Sequence, residues 1–197
     1  MTRFIGLTGG IGAGKSEALA AFERAGAATL STDRVAHDLL DREDVREQLV
    51  ERWGPEVAPG GAVDRERVAR IVFEDPDELR WLESQTHPRV GEAVLRWRQE
   101  LGPGVSVAVV EVPLLFEAAM EDAFDATVAV VADDGIRDQR LTERGQPGLE
   151  GREARQIPQH EKARRADHVI RNDETLEELD GEVREIVRRL AAEDGAG

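Results

Sequence analysis

Gly9, Gly10, Ile11, Gly12, Ala13, Gly14, Lys15 and Ser16 carry the spacing GxxxxGK(S/T). They follow the apolar run Arg3 to Thr8 and precede a helix-forming stretch, the strand-to-helix context that this pattern requires. Glycines let a backbone wrap around an anion with its amides inward, and a helix N-terminus adds positive potential. In such a loop Lys15 spans the β and γ phosphates of a nucleotide and the Ser16 hydroxyl holds Mg²⁺. The plainer alternative is a glycine-rich turn that happens to precede a lysine. Lysine usage argues against it: of 26 basic residues only Lys15 and Lys162 are lysine, and one of them falls where a compact ammonium is wanted. Glu17 comes next, where many such loops carry a second hydroxyl residue, and its carboxylate either weakens nucleotide binding or points to solvent.

Asp33 lies just after a second apolar run, at the carboxyl edge of the sheet that these strands would form. A carboxylate there could accept the proton of an attacking hydroxyl, or, as one of Ser31, Thr32 and Asp33, simply cap a helix. Glu111 ends the run VSVAVVE in the manner of a Walker B acid that steadies a metal, directly or through water; the alternative is a charge closing a strand. The arginine-rich stretch from Arg137 to Arg165 reads either as a solvated helix surface or as a lid that neutralises a phosphoryl group in flight. Within it Arg140 and Arg144 are four apart, on one helical face. His37, His87, His160 and His168 lack metal-ligand spacing, and Trp53, Trp81 and Trp97 are expected to pack in a core.

These residues need a scaffold. The pattern predicts a strand at Arg3 to Thr8, a helix at Lys15 to Arg24 ended by Gly26, and a strand at Ala27 to Leu30. Helical spacing follows from Thr32 to Trp53, a Gly/Pro-rich loop from Gly54 to Val63, and helix again from Asp64 to Glu100, broken near Pro76 and at His87 to Pro88. Val105 to Val112 and Ala126 to Val131 read as strands buried on both faces of a parallel sheet. Helices at Asp134 to Arg144 and Arg152 to Arg165 flank a GQPGLEG turn. A strand at His168 to Ile170 comes next, then a helix from Thr175 to Ala192 with Leu176, Leu179, Val183, Ile186, Val187 and Leu190 on one stripe. Strands alternating with helices imply an open α/β sheet with the middle helices inserted.

Composition narrows the classes. A chain of 197 residues with 40% hydrophobic and 34% charged residues fits one soluble globular domain, and excludes disorder, collagen and coiled coil for the whole. A net charge of −15 disfavours unaided binding to nucleic acid or anionic membrane, so any phosphate it handles needs a local basic site. The acidic excess is also what a high-salt cytoplasm would favour. Without cysteine there is no disulfide, thiolate zinc site or thiol catalysis. The opening MTRFIGLTGG reaches glycines too soon for a signal peptide, so the expected location is the cytoplasm.

Further segments make a more specific pattern: VDRERVARIVFEDPDELRWLESQTHPRV from Val63 to Val90, EVPLLFE from Glu111 to Glu117, RLTER from Arg140 to Arg144, QIPQHEK from Gln156 to Lys162 and ADHVIRN from Ala166 to Asn172. Together with the glycine loop they resemble the dephospho-coenzyme A kinase family over nearly the whole length. The resemblance implies a P-loop NTPase fold forming a single kinase domain over 1–197, with a helical acceptor-binding insertion at 54–101 and an arginine-bearing lid at 137–165. It implies transfer of the ATP γ-phosphate to the ribose 3′-hydroxyl of dephospho-coenzyme A, with Mg²⁺. Position by position it makes Asp33 the general base, Lys15 and Arg140 catalytic, and Gly9 to Ser16, Arg144 and Asn172 the ATP site. His87, Pro113 and Leu114 fall to the acceptor, and Ser16 and Glu111 to the metal. Lys162 matches a recurrent lysine of the family. Ser31 stands where the family usually has an acid and Glu111 where it usually has Asp. Another small-molecule P-loop kinase, such as a nucleoside or shikimate kinase, shares everything up to Asp33. A nucleotide switch would carry guanine-reading sequence such as NKxD, and none occurs.

Overall fold

The structure is a computed structural model that describes residues 1–144 and 154–193. Its elements in chain order are β1 (Arg3–Gly9), α1 (Lys15–Arg24), β2 (Ala28–Ser31), α2 (Thr32–Leu40), α3 (Glu43–Trp53), α4 (Arg65–Glu74) and α5 (Pro76–Glu100). After these come β3 (Val107–Glu111), β4 (Ala126–Val131), α6 (Asp134–Arg144), α7 (Gln159–Arg165), β5 (His168–Arg171) and α8 (Leu176–Glu193). Two compact units result, Met1–Ser31 with Glu100–Gly197, and Thr32–Gln99. The second begins well before the Gly/Pro-rich stretch at Gly54.

The first unit is built on a five-stranded sheet of order β2-β3-β1-β4-β5, and every pairing is parallel. Register brings the strand ends together: Glu111 pairs with both Leu7 and Ser31, and Gly9 with Val130. The two-residue period of β1 divides its side chains between two layers. Ile5 and Leu7 enter a core with Phe22, Val109, Val128, Ile170, Leu179 and Val183, so α1 and α8 cover that face. On the other side the Phe4 ring stacks on Phe124 at 5.0 Å, and Thr8 meets Pro113 and Lys162. Of the stripe expected on α8, Leu179, Val183, Ile186 and Leu190 are buried, whereas Leu176, at the helix start, is exposed.

The second unit is helical. Leu40, Val45, Leu49, Val57, Val63 and Val68 form its core, with Trp53 and Trp81 packed against it. The Gly/Pro-rich stretch is two 3-10 turns, Pro55–Val57 and Pro59–Gly61, and it contributes the core residues Val57 and Val63. Asp64 caps α4 by accepting from the Arg67 amide at 3.0 Å. Trp53 and Trp81 meet edge to face at 5.1 Å, while Trp97 is half-buried and outside this core.

Two sequence expectations need correction. The helix break at His87 to Pro88 does not occur: α5 runs through Pro88 to Glu100. A proline inside a helix removes a backbone donor and crowds the preceding turn. Pro88 has no N–H to give the Ser84 carbonyl, but Ser84 and Pro88 are both exposed, so solvent takes that carbonyl, while Arg89 Nη1 donates to the next one, Gln85 O, at 2.6 Å. Of the helix expected over Arg152 to Arg165, Gln159–Arg165 is helical, residues 154–158 are not, and Arg152 lies outside the described residues. Pro158 restricts Ile157 to extended backbone, and the Ile157 amide is taken by Glu117 Oε1 at 2.9 Å. The GQPGLEG turn lies outside the described residues.

Candidate active site

The loop from Gly10 to Gly14 leaves the sheet at the end of β1, and α1 starts directly at Lys15. Gly14 has φ 90°, a conformation that side chains other than hydrogen rarely adopt. A Cβ there would sit 2.0 Å from Asn172 Nδ2, and one on Gly9 would sit 2.4 Å from the Val130 carbonyl. Both positions are therefore closed to other residues by conformation or contact.

Side chains from the far end of the chain hold the loop by its carbonyls. Arg137 Nε donates to Ile11 O at 2.9 Å, and Asn172 Nδ2 to Ala13 O at 2.9 Å. Arg140 Nη1 lies 3.5 Å from both Gly12 O and Ala13 O, and its Nη2 donates to the Asn172 carbonyl at 3.0 Å. In a planar trans peptide the C=O and the following N–H point in opposite directions. Engaging the carbonyls of Ile11 and Ala13 therefore turns the amides of Gly12 and Gly14 the other way, as an anion cradle needs, while the Ala13 amide closes a turn on Gly10 O at 3.2 Å. Lys15 Nζ curls over the loop and donates to Gly9 O at 3.2 Å and Gly10 O at 3.1 Å. Ser16 is exposed in the first turn of α1.

The other expected residues divide between the two units. Glu111 is buried at the end of β3, with Pro113 and Leu114 half-buried just beyond it. Asn172 is buried beneath the loop, where its amide serves the Ala13 carbonyl. Asp33 and His87 belong to the helical unit and are both exposed. Since α2 already starts at Thr32, Asp33 occupies its first turn rather than a cap position. Arg144 closes α6, and its side chain lies outside the described part of the structure. Glu17 pairs with Arg24 at 3.0 Å on an exposed face of α1. The arginines of 137–165 differ in fate: Arg137 and Arg140 bind the loop, Arg165 stacks on Phe116 at 4.7 Å, and Arg164 is solvated.

Lys162 is fully buried. Its ammonium donates to Pro113 O at 2.7 Å and to Thr8 Oγ1 at 3.3 Å, and pairs with Glu117 Oε1 at 2.8 Å. Burial pushes its pKa below the ordinary lysine value, and Glu117 opposes that shift. Sequence reasoning singled out Lys162 but missed Thr8 and Glu117, because neither stands in a motif whose spacing carries chemistry.

The family model described as Dephospho-CoA kinase matches residues 3–178. The chain belongs to the dephospho-CoA kinase family. A dephospho-CoA kinase of Moorella thermoacetica is 38% identical over 205 residues, covering 98% of this chain and 96% of that relative. One from Symbiobacterium thermophilum is 37% identical over 202 residues, covering 98% of this chain and 83% of the relative. Among solved structures, TT1252 from Thermus thermophilus superposes with a TM-score of 0.80 at 34% identity, covering 96% of this chain and 98% of that one. The dephospho-CoA kinase from Campylobacter jejuni, at 24% identity, shares the fold with a TM-score of 0.67, covering 96% and 97% of the two chains. Family membership accounts for the P-loop fold and for the glycine loop at the end of β1. It also sets the question that the donor set must answer. Ser16 and Glu111 offer a hydroxyl and a carboxylate, hard oxygen donors of the type Mg²⁺ takes beside substrate phosphates. No helix among the described residues is long and apolar enough to cross a membrane.

Proposed function

We propose that the chain transfers the ATP γ-phosphoryl group in line to the ribose 3′-hydroxyl of dephospho-CoA, with Asp33 as general base. As a member of its family the chain is an ATP-dependent dephospho-CoA kinase, acting in coenzyme A biosynthesis. What supports the mechanistic reading most is the loop whose carbonyls are held from outside by Arg137, Arg140 and Asn172, which presents its amides and Lys15 to a triphosphate. Mg²⁺, held by Ser16 and by Glu111 directly or through water, supplies charge neutralisation on the phosphates. Lys15 leaves the Gly9 and Gly10 carbonyls for the β and γ oxygens when nucleotide binds. Asp33, two residues beyond the end of β2, orients the 3′-hydroxyl and takes its proton, while His87, Pro113 and Leu114 contact the acceptor. Arg140 stabilises the transferring group, Arg144 and Asn172 serve ATP, and the protein works in the cytoplasm without nucleic acid.

The deciding experiment is coupled ADP release with Mg²⁺ and ATP, comparing dephospho-CoA, adenosine, shikimate and no acceptor, with the product weighed by mass spectrometry. Release with dephospho-CoA alone, and a product heavier by one phosphate, is the expected result. ATP binding without any phosphorylated acceptor would remove the transfer and leave only a nucleotide site. In the same assay Asp33→Asn is expected to lose most turnover, about 100-fold or more, while binding ATP as the parent does. Parent-like turnover would take Asp33 out of the base role.

A further inference from the structure

Lys162 is buried, yet the phosphoryl transfer proposed for this chain gives it no task. Its three N–H donors meet three acceptors, Pro113 O, Glu117 Oε1 and Thr8 Oγ1, so the ammonium is fully satisfied. Those acceptors belong to two different places. Thr8 immediately precedes Gly9, at the strand end that opens the glycine loop. Pro113 and Glu117 belong to the segment leaving β3, which the proposed mechanism assigns to the acceptor. The Thr8 hydroxyl donates to Pro113 O at 3.2 Å, closing a ring of contacts around the ammonium. The stretch from Pro113 to Glu121 is also bound by α7 and by the residues just before that helix: Arg165 pairs with Glu121 and stacks on Phe116, and Glu117 accepts the Ile157 amide.

Stability alone does not ask for a lysine here. A buried ion pair can often be exchanged for apolar side chains of similar volume without loss, whereas removing one partner strands the other. What an apolar residue cannot do is hold a hydroxyl on one strand end and a carbonyl beyond the neighbouring strand at fixed distances from one atom. We propose that Lys162 is a positioning residue for phosphoryl transfer, fixing the Pro113–Glu117 segment against the strand end that carries the phosphate loop. This rests on the kinase reading, in which that segment serves the acceptor.

The test compares Lys162→Met, the pair Lys162→Met with Glu117→Gln, and Thr8→Val in the full chain, by steady-state kinetics, thermal unfolding and calorimetric ATP binding. Lys162→Met strands Glu117 and lowers Tm; the double variant recovers Tm. Its kcat stays about tenfold or more below the parent, with KM for ATP within about threefold, because the loop's own contacts remain. Thr8→Val keeps the Glu117 ion pair but takes one acceptor from the ammonium, so it lowers Tm less than Lys162→Met does and lowers kcat about threefold or more. The inference is overturned if the double variant turns over within about twofold of the parent, or if KM for ATP rises while kcat holds. Should the double variant not fold, a Thr8→Val kcat within about twofold of the parent overturns it equally. Failure of the kinase reading looks different: the parent chain itself would transfer nothing to dephospho-CoA, and the positioning role would fall with it.

Discussion

Gly14 and Asn172 stand 158 positions apart in the chain and occupy one site, the glycine leaving the space that the amide fills. Gly14→Ala is expected to cost about 1–3 kcal/mol of stability through its left-handed backbone, and more through the collision with Asn172 Nδ2. Thermal unfolding with and without ATP checks this: Tm falls, and the ATP-induced rise in Tm shrinks or disappears. Asn172→Ala removes the collision but frees the Ala13 carbonyl, so it is expected to weaken ATP binding while lowering Tm less than Gly14→Ala. At this scale the glycine loop was legible because its function is written in local spacing. The support given by Arg137 and Asn172 was not, since both bind backbone carbonyls, which carry no residue identity to read. Lys162 was marked by its rarity among arginines, but its partners Thr8 and Glu117 become visible only when the chain closes.

Among the elements, the strands were read most accurately, because continuous β-branched runs leave few alternatives, and the observed bounds differ by no more than two residues at either end. Proline misled in α5, where an exposed setting lets solvent take the carbonyl that lost its backbone donor, and Pro158 stands directly before α7. Pro88→Ala is accordingly expected to stabilise the helical unit, by up to about 3 kcal/mol, as a rise in the denaturation midpoint at unchanged slope. A second prediction concerns acid. Arg52, and after it the Trp53 indole, hold the Glu78 carboxyl below its usual pKa, despite its partial burial. A carboxylate with a depressed folded pKa stabilises above its unfolded pKa, and that contribution is lost as pH falls through the folded value. Glu78→Gln should therefore be less stable than the parent near neutrality, with the gap closing on titration below about pH 4. A gap that persists at low pH would mean that the loss comes from packing.

For the whole molecule, a net charge of −15 makes self-repulsion a long-range term that no single ion pair offsets. Exposed pairs such as Arg42–Asp44 contribute little, so screening is expected to help the protein more than it harms such pairs. Tm should rise from low to moderate salt, and a continued rise well above physiological salt would mark adaptation to a saline environment. A fall across the whole range would show that local pairs dominate. The class of fold was legible in the alternation of strands and helices. The division at Thr32 was not, because α2 and α3 share the charged helical composition of α4 and α5.

The strand order has a kinetic side. β1 finds its neighbours β3 and β4 only after the residues of the helical unit have been made, so during synthesis the phosphate loop waits for more than half of the chain. Contacts of the helical unit span shorter loops and should form sooner. The chain carries its own reporter of that order. All three tryptophans, Trp53, Trp81 and Trp97, lie in residues 32–99, and there is no tyrosine, so emission from selectively excited tryptophan comes from the helical unit alone while circular dichroism reports on both. In stopped-flow refolding, emission should reach its native value before ellipticity does, and ATP, which needs the finished loop, should accelerate neither early phase.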